Sequence, residues 1–117
     1  MQDFQSLCQM RRSYRKYTDQ PVEQEKLDYI IRCALMSPAG KRMNPWHFVV
    51  IKNEAILRQL AGCRTYGSGM FDTAMAGIVV AADSSVIDTW QCDAAIAAQN
   101  IWLAAADQGL GACWCHV

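Results

Sequence analysis

The stretch that decides the fold is residues 86–108, which read VIDTWQCDAAIAAQNIWLAAADQ. When it is wound as a helix, apolar residues cover almost every side, and many of them are alanines. A helix without a clear polar face must be surrounded by other elements, and alanine lets those elements approach closely. The polar pair Gln99-Asn100 in its middle needs hydrogen-bond partners wherever it is buried. We therefore predict a long central helix from about Val86 to Gln108.

The remaining elements are predicted from shorter patterns on either side of this helix. Apolar residues at helical spacing follow the capping residues Asp3 and Asn53, and Ser37-Pro38 ends a helix because the residue before proline is driven out of the helical region. Gly109 ends the long helix. In chain order we predict helices over residues 3–12 and 22–36, a strand over Phe48–Ile51, a helix through Leu60, a loop over residues 62–76, a strand over Ile78–Ala82, the long helix, and a third strand over Ala112–Val117.

This order of elements predicts one α+β layered domain over residues 1–117. No internal repeat or linker divides the chain. A βαβ dinucleotide-binding fold is not supported, because no Gly-x-Gly-x-x-Gly follows a predicted strand.

Composition favours a globular protein with a partner subunit. Hydrophobic residues make up 52% of the 117 residues, and because so small a domain leaves much of its surface exposed, we expect apolar surface to be buried against a second subunit. Equal numbers of basic and acidic residues, 11 of each, argue against general binding to nucleic acid or to an acidic membrane. The N-terminus resembles neither a signal nor a transit peptide, and no apolar run is long enough to span a bilayer, so we expect a cytoplasmic protein.

The six cysteines are predicted to be reduced thiols, because the chain shows no secretion signal. Cys113-x-Cys115-His116 offers too few ligands for a closed tetrahedral zinc site, so we expect no metal. A thiol-redox or metal protein built on Cys113 and Cys115 is the alternative, and it would require further ligands nearby.

Three segments carry residues suited to binding, and each also has a purely structural interpretation. The first is Arg11-Arg12-Ser13-Tyr14-Arg15-Lys16, whose guanidinium groups and hydroxyl form a donor set for a phosphate. The alternative is that cations at a helix C-terminus are simply favoured by the helix macrodipole. Since a helix C-terminus does not bind anions through its backbone, a phosphate site here would depend on side chains.

The second segment is the loop from Ser37 to Trp46, whose small residues let the backbone approach a planar ligand, with Asn44 available for the edge of a heterocycle. Its alternative interpretation is an ordinary loop whose Trp46 fills the core. The third segment is Gly109–His116, in which the glycines form either a helix cap or a cofactor loop, and His116 is either packed or functional.

In combination, the order and spacing of these segments resemble the FMN-dependent nitroreductase family. The shared motifs are Arg-Arg-Ser-x-Arg, Ser-Pro-small, Pro-Trp-x-Phe, Asp-x-x-x-Ala-x-Gln-Asn and Gly-Leu-Gly-x-x-Trp. In this sequence they are Arg11–Arg15, Ser37–Gly40, Pro45–Phe48, Asp93–Asn100 and Gly109–Trp114. The resemblance spans essentially the whole chain.

The resemblance implies a layered α-β-α fold with a central, mainly antiparallel sheet and a long buried helix, in an interlocked homodimer with FMN at the subunit interface. The FMN phosphate and ribityl chain would be held by Arg11, Arg12, Ser13 and Arg15. The isoalloxazine ring would lie along Pro38, Ala39 and Gly40, with Asn44 near its polar edge and the backbone of Cys115 and His116 beside the flavin nitrogen that carries the hydride.

The implied activity is that of an NAD(P)H-dependent flavin oxidoreductase with a ping-pong mechanism. NAD(P)H would deliver hydride and leave, and an electron acceptor such as a nitroaromatic or a quinone would then take its place. Because the flavin carries the chemistry, no catalytic side chain is expected. The alternatives are the same fold with another flavin reaction, such as dehydrogenation or dehalogenation, and a flavin-binding domain without turnover.

Two features depart from the family pattern. Where many members have Asn-x-Gln-Pro-Trp, this chain has Arg42-Met43-Asn44-Pro45-Trp46, so its polar contacts to the flavin ring are expected to differ. Members usually continue well past the Gly-Leu-Gly-x-x-Trp strand, so the resemblance implies that the C-terminal part of the family fold is absent from this chain.

Overall fold

The computed structural model of the chain describes residues 3–117. Four α-helices and two strands follow one another in the described residues, with short 3-10 turns at Gly40–Arg42 and Gly69–Asp72. They are α1 (Phe4–Met10), α2 (Gln24–Leu35), β1 (Trp46–Ile51), α3 (Glu54–Leu60), β2 (Gly77–Ala82) and α4 (Trp90–Asp107). The predicted α+β class is confirmed.

The two strands form an antiparallel pair beneath the helices. Their register runs from Trp46 opposite Ala82 to Ile51 opposite Gly77. A further backbone hydrogen bond from Asp83 N to Pro45 O, of 2.9 Å, closes the end of the ladder. The strands predicted over Phe48–Ile51 and Ile78–Ala82 are therefore present, and each begins slightly earlier than its apolar run.

Two predicted N-terminal helix caps are confirmed by hydrogen bonds from nearby backbone amides. Asp3 accepts a hydrogen bond from Ser6 N at 2.8 Å, and Asn53 accepts one from Ile56 N at 3.1 Å. Both satisfy amide groups that the first turn of a helix leaves without intrahelical partners. Gly109 has a φ of 74°, as a left-handed C-terminal cap requires.

The largest differences from the prediction lie at the start of the long helix and in the third strand. The long helix begins at Trp90 rather than near Val86, because Asp83 forms a turn of its own: its Oδ1 accepts from Ser85 N at 2.9 Å, and its carbonyl accepts from Val86 N at 3.2 Å. The strand expected over Ala112–Val117 is reduced to a single parallel bridge between Ala112 and Ser13. A strand exists only through its partners, and beyond Ala112 the described part of the chain supplies none.

The core lies between α2, α4 and β2. Its centre is formed by Ile30, Ala104 and Ala105, and the half-buried residues packed against them are Tyr29, Cys33, Ile78, Ile101, Leu110 and Ala112. Ala34 of α2 and Ala97 of α4 are completely covered, as expected where small side chains let helices approach closely. The predicted long helix is thus present. Within one chain it is only partly covered, since Ile96 of α4 remains 41% exposed.

None of the helices described over residues 3–117 is both long and apolar enough to cross a membrane. In the same residues, no group of three or more histidine, cysteine, aspartate and glutamate side chains is arranged to hold a metal ion.

We expect Tyr29→Phe to lower the free energy of unfolding by about 1 kcal/mol at neutral pH. The Tyr29 hydroxyl donates to Asp107 Oδ2 at 2.7 Å and so joins α2 to the end of α4. This hydrogen bond, with burial, raises the pKa of Tyr29 from 10.0 to about 12. Because the folded state holds the phenol proton more tightly, the contribution is fully present below pH 10.0 and is lost as the pH rises to about 12.

Urea unfolding at neutral and alkaline pH measures both effects. The alkaline loss of stability should become smaller in Tyr29→Phe without vanishing, since burial also raises the pKa of Tyr17 to about 12. Tyr66→Phe is the matched control, because Tyr66 is 84% exposed. Equal behaviour of the two variants would contradict the assignment.

Candidate functional site

The faces of α4 divide the predicted binding residues into two groups. Asp93, Ala97, Asn100 and Ala104 recur at the spacing of one helix face, and this face meets α2 and the loop that follows it. The residues of the adjacent face line an open groove, and they are Ala94, Ala98, Ile101 and Ala105, with Ala95 and Trp102 at its margin.

The groove has a volume of about 1200 Å³, ample for an organic cofactor. Its floor is apolar, formed by the small side chains of α4 and by Ile78, Val79 and Val80 of β2. One wall is the segment that follows α1, and another is the extended segment over residues 109–117. The groove therefore joins three parts of the chain that are distant in sequence.

The wall after α1 carries the cationic residues. Arg12, Tyr14 and Lys16 line the groove together, because alternate residues of an extended segment share a side. Arg11 also lines it, with its guanidinium carbon 4.4 Å from the centre of the Trp102 ring. The same indole donates to the carbonyl of Arg12 at 3.2 Å, so Trp102 fixes the segment at two points.

Within residues 3–117, none of the cations on this wall forms an ion pair with an acidic side chain. The ion pairs within the described residues join Lys26 to Glu23 and Arg58 to Glu54, both outside the segment. Nor does the macrodipole of α1 explain the run of cations, since α1 ends at Met10 and the dipole acts only within the last turn. The helix macrodipole therefore explains at most the position of Arg11. The other cations of the segment are available to bind an anion.

The second wall lies directly beside the first and is joined to it by a backbone hydrogen bond. Tyr14 N donates to Ala112 O at 3.0 Å, and a Cβ at Gly111 would lie 3.0 Å from the Tyr14 ring. A Cβ at this distance would crowd the Tyr14 ring, so the missing side chain at Gly111 helps the two segments to pack together.

Cys115 and His116 lie further along this wall and line the groove. Arg64 donates to the carbonyl of His116 and thereby ties the wall to the loop after α3. Burial, with the neighbouring thiol of Cys63, raises the pKa of Cys115 above its ordinary value, so Cys115 is not an activated thiolate.

The loop from Ser37 to Asn44 lies on the other face of α4. The carboxylate of Asp93, only 3% exposed, accepts from Gly40 N at 3.2 Å and from Thr89 Oγ1 at 3.1 Å. About two turns further along the helix, Asn100 Nδ2 donates to Ser37 Oγ at 2.8 Å. Both polar groups of this face therefore bind the loop.

The backbone of this loop is strained. Lys41, Arg42 and Asn44 have φ values of 51°, 58° and 47°, in the left-handed region. For lysine and arginine this conformation costs about 1–2 kcal/mol per residue. Such outliers persist only where surrounding contacts hold them, and they are frequent at binding sites.

The structure thus brings together one part of the predicted site. Arg11, Arg12, Cys115 and His116 line the groove, and Ser13 pairs with its second wall through Ala112. Arg15 is exposed and does not line the groove. The predicted ring-contacting residues Pro38, Ala39, Gly40 and Asn44 also lie away from the groove of the same chain.

The structural interpretation proposed for Trp46 also holds. Trp46 is 7% exposed, and its ring stacks on that of Phe48 with the centres 5.4 Å apart. It therefore fills the core next to the loop.

Sequence reasoning missed several residues of both groups. Tyr14 and Lys16 could have been found from the alternation of the extended segment. Trp102, Arg64 and the role of Asp93 carry no local signal, because their partners lie 90, 52 and 53 residues away in sequence.

The groove suits a ligand that is anionic at one end and flat and apolar elsewhere. A guanidinium group without an acidic partner can bind a phosphate through two parallel hydrogen bonds, and an ammonium group attracts it as a compact charge. The alanines of α4 leave space for a planar ring against the floor. The residues present therefore fit a flavin mononucleotide in both charge and shape.

Known proteins are similar to this chain over most of its length. The family model described as "Nitroreductase family" matches residues 8–64 and 62–117. A protein from Methanothermobacter thermautotrophicus, provisionally named NADH dehydrogenase/NAD(P)H nitroreductase, is 41% identical over 110 residues, covering 92% of this chain and 57% of that protein.

Solved structures are similar over nearly the whole chain. An FMN-dependent nitroreductase from Clostridium difficile has a TM-score of 0.92 and 43% identity, covering 95% of this chain and 65% of that one. A provisionally named nitroreductase in complex with FMN, from Desulfovibrio desulfuricans, has a TM-score of 0.83 and 28% identity, covering 97% and 69%. The chain spans 57% of the length of the Methanothermobacter protein and 65% of the Clostridium structure.

We expect Gly40→Ala to destabilise the protein by about 1–3 kcal/mol, the usual cost of overpacking. Its Cβ would lie 2.3 Å from Thr89 Oγ1, so the loop or the Thr89–Asp93 hydrogen bond must move. The matched control is Gly69→Ala, whose Cβ would meet nothing within 4 Å.

Thermal or urea unfolding measures the difference, and a double variant sharpens it. In a Thr89→Ala background the clashing hydroxyl is gone, so Gly40→Ala should cost less there than in the wild type. The loop contact is wrongly assigned if Gly40→Ala and Gly69→Ala unfold alike, or if the background makes no difference.

Proposed function

This chain belongs to the nitroreductase family, and we propose that it forms the FMN-binding part of an oxidoreductase that works as a homodimer and takes hydride from NAD(P)H. The observation that carries the proposal is the run of cations without acidic partners along a groove with an apolar floor. The names of the similar proteins, which include an FMN-dependent nitroreductase and an FMN complex, agree with it.

The phosphate and ribityl chain are assigned to Arg11, Arg12 and Ser13, whose segment lies along the groove, and to Arg15 from the family resemblance alone. Arg12 lines the groove and is exposed, so its fork can bind a phosphate bidentately at little conformational cost. Arg11 is held over Trp102, which fixes its charge at the groove wall before any ligand arrives. Such preorganisation raises affinity because less side-chain entropy is lost on binding.

The homodimer is proposed because one chain cannot present both groups of residues to one flavin. The cationic segment faces the groove, whereas Pro38, Ala39, Gly40 and Asn44 lie on the other face of α4. A second chain placed over the groove would bring its own loop to the ring. The same contact would cover exposed apolar residues, among them Leu35, Met36 and Ile96, with exposures of 55%, 74% and 41%.

FMN, when bound, would supply the hydride transfer between NAD(P)H and an electron acceptor such as a nitroaromatic or a quinone. The residues of the chain would bind and orient it. The guanidinium groups hold the phosphate, the apolar floor excludes water, and the backbone of Cys115 and His116 borders the slot. No side chain of the groove is assigned as a catalytic acid, base or nucleophile.

The visible absorption spectrum of the purified chain, recorded before and after anaerobic addition of NADH or NADPH, tests the proposal. We expect a flavin spectrum, after addition of FMN if necessary, that bleaches with the nicotinamide and returns with a quinone or nitroaromatic. A bound flavin that the nicotinamide does not bleach would contradict the reaction while leaving the cofactor. A chain that takes up no FMN would contradict both.

We expect Arg12→Ala to weaken FMN binding about 10- to 100-fold, the loss associated with one charge-assisted hydrogen bond. The Arg12 side chain is exposed, so the fold should be retained. Arg32→Ala is the matched control, since Arg32 is an exposed arginine on α2 away from the groove.

Fluorescence titration with FMN and with riboflavin, which lacks the phosphate, separates phosphate binding from a general loss of affinity. Arg12→Ala should leave riboflavin binding nearly unchanged. Normal FMN affinity in this variant would show that the phosphate lies elsewhere.

A further inference from the structure

We infer that Asp93 and Asn100 are positioning residues that hold the Ser37–Asn44 loop in the shape in which it contacts the flavin ring. The inference rests on the proposed function for the identity of the ligand, and on the geometry of this chain for the loop. It gives a role to the Asp-x-x-x-Ala-x-Gln-Asn motif, which the assignment of the flavin contacts leaves unexplained.

The two residues act from one face of α4. Asp93 and Asn100 are seven positions apart, so they lie on the same side of the helix about two turns from one another, with the fully covered Ala97 between them. Asn100 binds the beginning of the loop at Ser37, and Asp93 binds it three residues later at Gly40. Two fixed points so close together leave the intervening Pro38 and Ala39 little freedom.

Asp93 is a buried carboxylate whose two oxygens are both used. One accepts from the amide of Gly40 at 3.2 Å, and the other accepts from the hydroxyl of Thr89 at 3.1 Å. A buried carboxylate is expensive unless hydrogen-bonded donors surround it, and here one of its two donors is the loop backbone. Detaching the loop would therefore leave a buried oxygen without its partner.

The strained residues of the loop follow directly after the second anchor. Lys41, Arg42 and Asn44 all have positive φ, although none of them is a glycine. Inside this turn, Arg42 N bonds to Ala39 O at 3.1 Å and Met43 N bonds to Gly40 O at 3.0 Å. Without an anchor at Gly40, the turn would relax toward ordinary backbone angles, and Asn44 would move from its place.

Tryptic cleavage of the loop tests the anchors without any flavin. Lys41 and Arg42 are exposed and provide two cleavage sites within the strained turn. We expect cleavage there to be about 10- to 100-fold faster in Asp93→Ala than in the wild type, because loss of the anchor raises the population of the open loop. Cleavage after Arg64, in the loop that follows α3, is the internal reference and should not change.

Two further variants separate positioning from a general loss of stability. Asp107→Ala removes a carboxylate that also lies on α4 and is also hydrogen-bonded, but to Tyr29 of α2 rather than to the loop. It should not accelerate cleavage at Lys41 and Arg42. Asp93→Asn should restore slow cleavage, since an amide oxygen can accept from Gly40 N while its NH2 group donates to the Thr89 hydroxyl.

Flavin titration then tests what the loop is positioned for. Asp93→Ala and Asn100→Ala should weaken FMN and riboflavin by the same factor, about 10-fold or more, because the loop contacts the ring that both share. This differs from the pattern expected for Arg12→Ala, which affects FMN alone. Asp93→Asn should again be close to the wild type.

The outcomes are distinguishable. Unchanged cleavage in both alanine variants, or equal acceleration in Asp107→Ala, would overturn the anchoring role. Faster cleavage with unchanged riboflavin affinity would overturn the contact with the ring. If the wild type binds neither flavin, the proposed function fails, and the cleavage rates still decide whether Asp93 and Asn100 hold the loop.

Discussion

The long helix α4 separates the two candidate binding segments, because each segment contacts a different face of it. Its Ala94–Ala98–Ile101–Ala105 face forms the floor of the groove, while its Asp93–Ala97–Asn100 face holds the loop after α2. The helix is rigid because α2 and β2 pack against it through small, covered side chains. This separation is the basis of the proposal that a flavin that uses both segments is bound by two chains.

Under the proposed function, the two faces would be prepared for flavin binding in different ways. At the groove, Trp102 holds the cationic segment by stacking on Arg11 and donating to the carbonyl of Arg12, so charge is placed at the wall without being neutralised. At the loop, a buried carboxylate holds strained backbone. Both arrangements move the cost of ordering from the binding step to the folding of the chain, which is the physical meaning of preorganisation.

The sequence predicted those features whose causes are local. Asp3 and Asn53 were recognisable as caps because each binds an amide three residues away. The strands β1 and β2 were recognisable because each contains a short run of apolar, mostly β-branched residues. The start of α4 was misplaced because Asp83 forms a competing turn. The prediction of the third strand was wrong because strand pairing depends on a partner distant in sequence. The hydrogen bond between Gly40 and Asp93 could not be predicted from local sequence because 53 residues separate them.

Sedimentation velocity followed at both the protein and the flavin absorbance tests directly whether one flavin is bound by residues of two chains. With FMN near its dissociation constant, we expect the flavin signal to sediment only with a species of twice the chain mass. Added FMN should also shift the chain toward that species, because a ligand stabilises the state that binds it. Flavin that sediments with the single chain at comparable affinity would contradict a site shared by two chains.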